Sequence, residues 1–446
     1  MHNELGDYNK ALDYHSKALS IKEKVLGKDD PLIADSYNNI GSVYYKLGDY
    51  DKALEYYFKA LSIREKVLGK DHPDTATSYN NIGSVYNELG DYDKALEYLS
   101  KALSIKEKVL GKDDPFTATS YDNIGSVYYK LGDYDKALEY CSKALSIDEK
   151  VLGKDHPSTA TSYNNVGLVH NELGDYNKAL KYYSNALSID EKVLGKDHPS
   201  TATSYDSIGL LYVELGDYTK ALDYHLKALS IREKVLGKDH PDTATSYNNI
   251  GGVYGDLGDN AKALDYYLKA LAIDEKNLGK DHPSTATSYD NIGIVYDKLG
   301  DYDKALEYCS KALSIREKVL GKDHPETATS YNNIGLVYSH IEDYAKSLEY
   351  YSKALYIFEK VLGEDHPSTA TSYNNIGKVY YNLRDYTKAL DYHLKALSIC
   401  EKVLGKDHPH TKIVIEKIAK AEQALAEQKS QHKKESWWDS LKKKLS

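Results

Sequence analysis

The sequence predicts an all-α protein, a right-handed α-solenoid of about ten helical hairpins, on three observations. All ten prolines, from Pro31 and Pro73 through to Pro409, stand 42 residues apart without a slip, and a period of about 20–50 residues marks a stack of one repeated supersecondary unit. Within each period apolar residues recur every three or four places, the spacing of one face of a helix. Two glycine breaks per period, Leu-Gly-Asp and Leu-Gly-Lys in most copies, divide that pattern into two helices.

Residues 73–114 show how each element arises. Helix A is predicted over 73–89, with Tyr79, Ile82, Gly83 and Tyr86 on one stripe. Proline suits its first turn, where a backbone N–H would be unpaired anyway. Gly90 supplies the left-handed residue that ends a helix, and Asp91 can accept from the first N–H groups of the next. Helix B then carries Tyr92, Ala95, Leu96, Leu99, Ala102, Leu103, Ile105, Val109 and Leu110, closed by Gly111. Small residues at Gly83, Ala95 and Ala102 allow the two axes to cross at about 8–10 Å. One hairpin cannot bury both of its faces, so each unit needs neighbours.

The array is predicted over 1–410, with A helices starting near each proline from Pro31 to Pro367 and ten B helices, the first over 7–26. Residues 1–12 nearly duplicate 169–180, so the chain is expected to open within a helix A, its first unit frayed or the sequence shortened from a longer protein. After Pro409, residues 411–428 keep Ile413, Ile415, Ile418, Ala421 and Leu425 among Lys, Glu and Gln and read as a C-terminal capping helix. Residues 429–446 form a basic tail with both tryptophans, Trp437 and Trp438, and 436–445 has the spacing of a short amphipathic helix.

The run Tyr79-x-x-Ile82-Gly83-x-x-Tyr86, with Ala95, Leu99 and Ala102 after it, resembles the tetratricopeptide pattern, Tyr standing for its usual Trp. The common unit of that family is about 34 residues long. The longer helix B here, with Leu-Gly-x-Asp-His-Pro and then Thr-Ala-x-x-x-Asn-Asn, is similar to the repeats of kinesin light chain. The resemblance spans about residues 1–427 and implies a peptide-binding solenoid. It does not extend to the motor role, because the heptad coiled coil that precedes kinesin light chain repeats has no counterpart before Leu5.

Composition narrows the function. A net charge of −10 argues against a nucleic-acid-binding body. Cys141, Cys309 and Cys400 are too few and too far apart for a disulfide framework, which points to a reducing, cytoplasmic compartment. No stretch is long and apolar enough to cross a bilayer. Eight loops carry Asp-His-Pro, but histidines one unit apart lie about 16–20 Å from each other, whereas zinc ligands sit about 2 Å from the metal. Phosphate loops, HExxH, GxSxG and paired-cysteine motifs do not occur. The expectation is a protein without metal, cofactor or catalysis.

The candidate site is a ladder of amides on helix A. Asn39, Asn81, Asn123, Asn165, Asn249, Asn291, Asn333 and Asn375 stand one step before the Ile-Gly or Val-Gly of their units, and position 207 alone has serine. An amide both donates and accepts, which suits an extended peptide backbone, and the row resembles the asparagine ladder of the O-linked N-acetylglucosamine transferase superhelix. The other reading is that these amides tie adjacent helices together. Three residues on, Ser42, Ser84 and Ser126 give way to Leu168, Leu210, Gly252, Ile294, Leu336 and Lys378. Such change on a constant scaffold is the pattern of ligand specificity, or of drift at solvated positions, and Leu168, Leu210 and Lys378 join the candidate groove. Function therefore reads as a scaffold or adaptor that binds extended segments of partner proteins, with a structural spacer or the repeat part of a larger signalling or enzymatic protein as the other readings. The tail suits weak contact with an anionic membrane. It also suits docking in the groove, since Glu435-Ser436-Trp437-Trp438-Asp439 is similar to the tryptophan-plus-acidic peptides that kinesin light chain grooves accept.

Overall fold

A computed structural model describes residues 7–445; the expectation that the chain opens within a helix A concerns residues 1–6 and lies outside them. Among the described residues there are twenty helices and no strand. The B helix α1 (Tyr8–Val25) comes first. The A helices α2 (Pro31–Lys46), α4 (Pro73–Glu88), α6 (Pro115–Lys130), α8 (Pro157–Glu172), α10 (Pro199–Glu214), α12 (Pro241–Asp256), α14 (Pro283–Lys298), α16 (Pro325–His340) and α18 (Pro367–Asn382) follow. They alternate with the B helices α3 (Tyr50–Val67), α5 (Tyr92–Val109), α7 (Tyr134–Val151), α9 (Tyr176–Val193), α11 (Tyr218–Val235), α13 (Asn260–Asn277), α15 (Tyr302–Val319), α17 (Tyr344–Val361) and α19 (Tyr386–Val403), before α20 (Pro409–Leu445). The chain divides into two compact units, Met1–Ser330 and Tyr331–Ser446.

Both kinds of helix start are capped as the sequence implies, with one addition. Asp91 accepts from the Lys94 N–H at 3.2 Å. At the other junction the histidine of Asp-His-Pro does the same work: His72 Nδ1 accepts from the Asp74 N–H at 3.1 Å, as the Asp114 carboxylate does from Phe116 at 2.8 Å. Thr75 Oγ1 donates to the Gly69 carbonyl at 2.8 Å and closes the loop. Glycines end most helices at positive φ, but Glu342 (φ 63°) and Arg384 (φ 61°) occupy two of those places. A side chain there meets its own carbonyl, at a cost of about 1–2 kcal/mol.

Packing within a hairpin turns on the helical glycine. A Cβ at Gly83 would lie 2.7 Å from Leu99, and one at Gly251 would lie 2.8 Å from Tyr267, so the two axes meet where no side chain intervenes. Tyrosines fill the flanks in a repeated set: Tyr86 stacks on Tyr98 at 5.7 Å, and the Lys94 ammonium stands 5.0 Å over the Tyr86 ring. Tyr79 hydroxyl donates to Glu65 across the junction between repeats.

The C-terminal segment departs from expectation in two respects. The cap and the amphipathic stretch over 436–445 are parts of one helix, α20, because nothing from 411 onward breaks it and Lys, Glu, Gln and Ala favour it. Its buried side is Thr411, Val414, Ile418 and Ala421, whereas Ile413 and Ile415 are 47% and 42% exposed. The stripe thus includes Ile418 but is offset from Ile413 and Ile415. Trp437 and Trp438 are exposed, and the side chains of residues 443–446 lie outside the described ones.

Within the first unit the coil returns upon itself. His324 Nε2 lies 3.0 Å from the carbonyl of Glu88, 236 residues earlier and between five and six repeats away. A Cβ at Gly90 would come within 2.9 Å of the His324 ring, and one at Gly48 within 2.9 Å of Pro283 and 3.0 Å of His282. Residues 7–9 likewise face 236–240 across an opening of about 570 Å³. Each contact sets the turn between an A and a B helix against the loop between a B and an A helix one coil further on.

Candidate peptide-binding groove

Helices α8, α10 and α12 each touch the next A helix as well as their own partners, so in the first unit the A helices form the inner wall and carry the amide ladder along it. Much of the ladder is engaged within the wall. Asn81 Nδ2 donates to Asn38 Oδ1 at 2.7 Å, and Asn123 Nδ2 to Asn80 Oδ1 at 2.8 Å. Asn165 stands against the Asp122 carboxylate. Asn39 is exposed at the start of the row and Asn249 and Asn291 are half-buried further along it; Asn333 and Asn375, in the second unit, are half-buried too.

Behind the ladder lies a polar layer that the sequence reading did not anticipate. Every A helix from α2 to α18 buries a serine, from Ser36 to Ser372. Through the first eight repeats its partner is the residue fourteen places earlier on the preceding B helix: Lys22, Arg64, Lys106, Asp148, Asp190, Arg232, Asp274 and Arg316 in turn. The first position of the amide pair supplies the third member. Arg232 donates to Asp206 at 2.5 Å and to Ser246 at 2.6 Å, and Arg316 pairs with Asp290 in the same way. Fully buried His225 adds its Nδ1 at 2.7 Å from Asp206. Where the B helix carries Asp190 or Asp274, the neighbour is Asn164 or Asn248, each donating to the next serine at 3.2 Å. The signal was present in the sequence, since Asp replaces Asn at 206 and 290 where Arg stands 26 residues on.

One junction breaks this rule. Asp122 and Asp148 both face Ser162 Oγ, at 3.2 and 2.8 Å, with no cation between them. Burial, and secondarily the Asp148 charge, push the Asp122 carboxyl up to about 7, against the pull of Asn165 and Ser162. Burial raises Asp148 too. Burial likewise lifts Asp274 to about 6 and pushes the Lys106 ammonium down to about 8.

Three and four places beyond the variable row, side chains are tied to the neighbouring repeat, whereas members of the row itself are open. Lys130 pairs with Glu88 at 3.0 Å, the Tyr129 hydroxyl donates to Glu172 at 3.0 Å, and Lys298 Nζ donates to the Gly255 carbonyl at 3.0 Å. These contacts join neighbouring repeats. Leu168 and Leu210, on α8 and α10, are 40% and 49% exposed; Lys378 on α18 is exposed. Among the described residues no group of three or more metal-ligating side chains comes together, and no helix is long and apolar enough to cross a membrane.

The tetratricopeptide repeat profile matches ten overlapping segments that run from 1–66 to 375–430 and together span nearly the whole chain. The chain belongs to the tetratricopeptide repeat family. No curated protein sequence matches it. Among solved structures, this tetratricopeptide chain is similar to a putative kinesin light chain with nearly identical repeats from Podosopora anserina, at 23% identity over 46% of this chain and 97% of that one, TM-score 0.38. It is similar to BtubC from P. vanneervenii at 23% identity over 52% and 91%, TM-score 0.40. It is also similar to a Rap protein complexed with competence and sporulation factor, at 16% identity over 80% and 99%, TM-score 0.50. That last likeness is one of fold.

Proposed function

We propose that the protein is a scaffold whose inner wall binds an extended peptide segment of a partner protein, without chemistry of its own. The observation that carries this reading is the pair Leu168 and Leu210, one repeat apart on the inner wall and about half exposed, where the first repeats have serine. Burying a leucine side chain contributes about 1.5–3 kcal/mol, so two of them anchor an apolar residue pair of a ligand. Glu214 and Asp256, both exposed beyond them, favour basic residues on the same peptide, and half-buried Asn249 and Asn291 provide amides for its backbone. A Rap protein, similar in fold, is known in complex with a competence and sporulation factor, which supports a partner-binding role for such a coil.

Fluorescence anisotropy with a panel of labelled apolar-basic peptides tests the reading. Leu168→Ser with Leu210→Ser restores the residue of the first repeats and is expected to weaken the best ligand more than tenfold. Asn249→Ala with Asn291→Ala should cost about 0.5–1.5 kcal/mol per lost hydrogen bond. If both variants bind every ligand of the panel as tightly as the parent, the inner wall is not the site.

A further inference from the structure

We infer that the two rims of the coil form a self-association surface, on which a second copy of this chain docks through the contact that already holds one turn of the chain against the next. That contact has a defined chemistry. The A-to-B turn presents a glycine without Cβ and, just before it, a free helix-end carbonyl; the B-to-A loop presents the flat His-Pro pair. His324 Nδ1 accepts from the Glu326 N–H at 3.1 Å, so the ring proton sits on Nε2 and is donated to the Glu88 carbonyl at 3.0 Å. The Gly48 turn receives His282 and Pro283 in the same way, and His282 reaches the backbone of Lys46.

Because the repeats are nearly identical, most of them carry both halves of this contact, Glu342 and Arg384 replacing the turn glycine and Asp30 and Asp114 the loop histidine, and a single chain satisfies only some of them. The turns at Gly216, Gly258 and Gly300 have nothing within 4 Å of where a Cβ would be. The leucines beside them, Leu215, Leu257 and Leu299, are 47%, 50% and 52% exposed. On the opposite rim the loop histidines of the early repeats are more open: the His72 side chain is 39% exposed, against 6% for His324 overall. Turns of one molecule therefore match loops of another in the geometry the chain uses internally, and several pairs engage side by side, each raising the effective concentration of the next. The match is turn to loop, never turn to turn. Such a heterologous contact has no two-fold axis and adds copies in an open series.

Sedimentation velocity on the full chain over a range of concentrations tests this. The weight-average mass should climb above 50.1 kDa without levelling at a dimer. In a loop variant, His72→Asp, His156→Asp and His198→Asp keep the helix caps, as Asp30 and Asp114 do natively, but remove the Nε2 donor; association should fall at least tenfold with unchanged circular dichroism. A turn variant, Leu215→Glu with Leu257→Glu and Leu299→Glu, should behave alike. Mixing the two should restore a pair and stop there, since one intact turn rim then meets one intact loop rim. A mass of 50.1 kDa at every concentration, a closed dimer, or association that survives both variants and disappears on deleting residues 429–446 would each overturn the proposal.

Discussion

Replacing Asp122 by Asn tests the polar layer at its weakest point. Asp122 occupies the place of Asn38, Asn80 and Asn164, yet faces Asp148 across Ser162 instead of a cation. Its carboxyl rises from 3.8 to about 7 in the fold. A raised carboxyl favours folding while it stays protonated: its contribution is complete below about 3.8 and is lost as pH climbs through 7. At about 1.4 kcal/mol per pH unit, the loss by pH 8 is on the order of 4 kcal/mol, a ceiling because the two carboxyls titrate as a pair. Asp122→Asn keeps the shape and drops the charge, so it should stabilise the protein by about 2–4 kcal/mol at pH 8 and by nearly nothing at pH 4. Hydrogen exchange over α6 to α8 is the appropriate assay, because an array of near-identical repeats opens locally rather than all at once. The control is the same chemical change at Asp206, expected to act in the opposite direction, since it strands buried Arg232 at a cost of about 3–5 kcal/mol. An equal gain at both pH values, or a stabilising Asp206→Asn, would show that charge is not what distinguishes these junctions.

Two further outcomes follow from the fold. Arg384→Gly should raise stability by about 0.5–1 kcal/mol, the relief of a left-handed residue less the extra freedom of glycine in the unfolded chain; a loss in urea titration would contradict the strain at φ 61°. Burial pushes His282, His324 and His393 down to about 4, so the stability they contribute is complete above about 6.5 and declines as pH falls toward 4. Proton NMR of the histidine rings should show resonances with midpoints near 4, one of which vanishes in His324→Asn; midpoints all near 6.5 would refute the burial.

The repeat length, both helices and their caps were legible because each follows from local spacing: proline at the first turn, Gly-Asp between helices, apolar residues at three and four. The site was legible only in part. Asn81 and Asn123 donate to the amides of the preceding repeat, and whether an amide faces a ligand or its neighbour depends on distances between repeats that no local pattern encodes. The layer behind it, with Arg232 on Asp206, joins residues 26 apart on two helices and shows only when copies are compared position by position. The return of the coil onto itself between Glu88 and His324 depends on a small rotation accumulated over several repeats, and no single copy of the sequence contains it.

The varied layer also bears on how so repetitive a chain finds its register while folding. Helix B of one repeat would dock almost equally well on the helix A of another, and repeat arrays are prone to such mispairing. Apolar contacts cannot discriminate, because Gly83 and Gly251, Ile82 and Ile250 are interchangeable. The buried groups are not. A slip by one repeat would bring Arg232 against Asn248 or Asn164 instead of Asp206, and Asp190 against Asp206, leaving charges buried without partners at several kcal/mol each. Alternation of acid, base and amide thus distinguishes each repeat from its immediate neighbours, and a slip of one repeat leaves the buried charges from α10 to α12 unanswered.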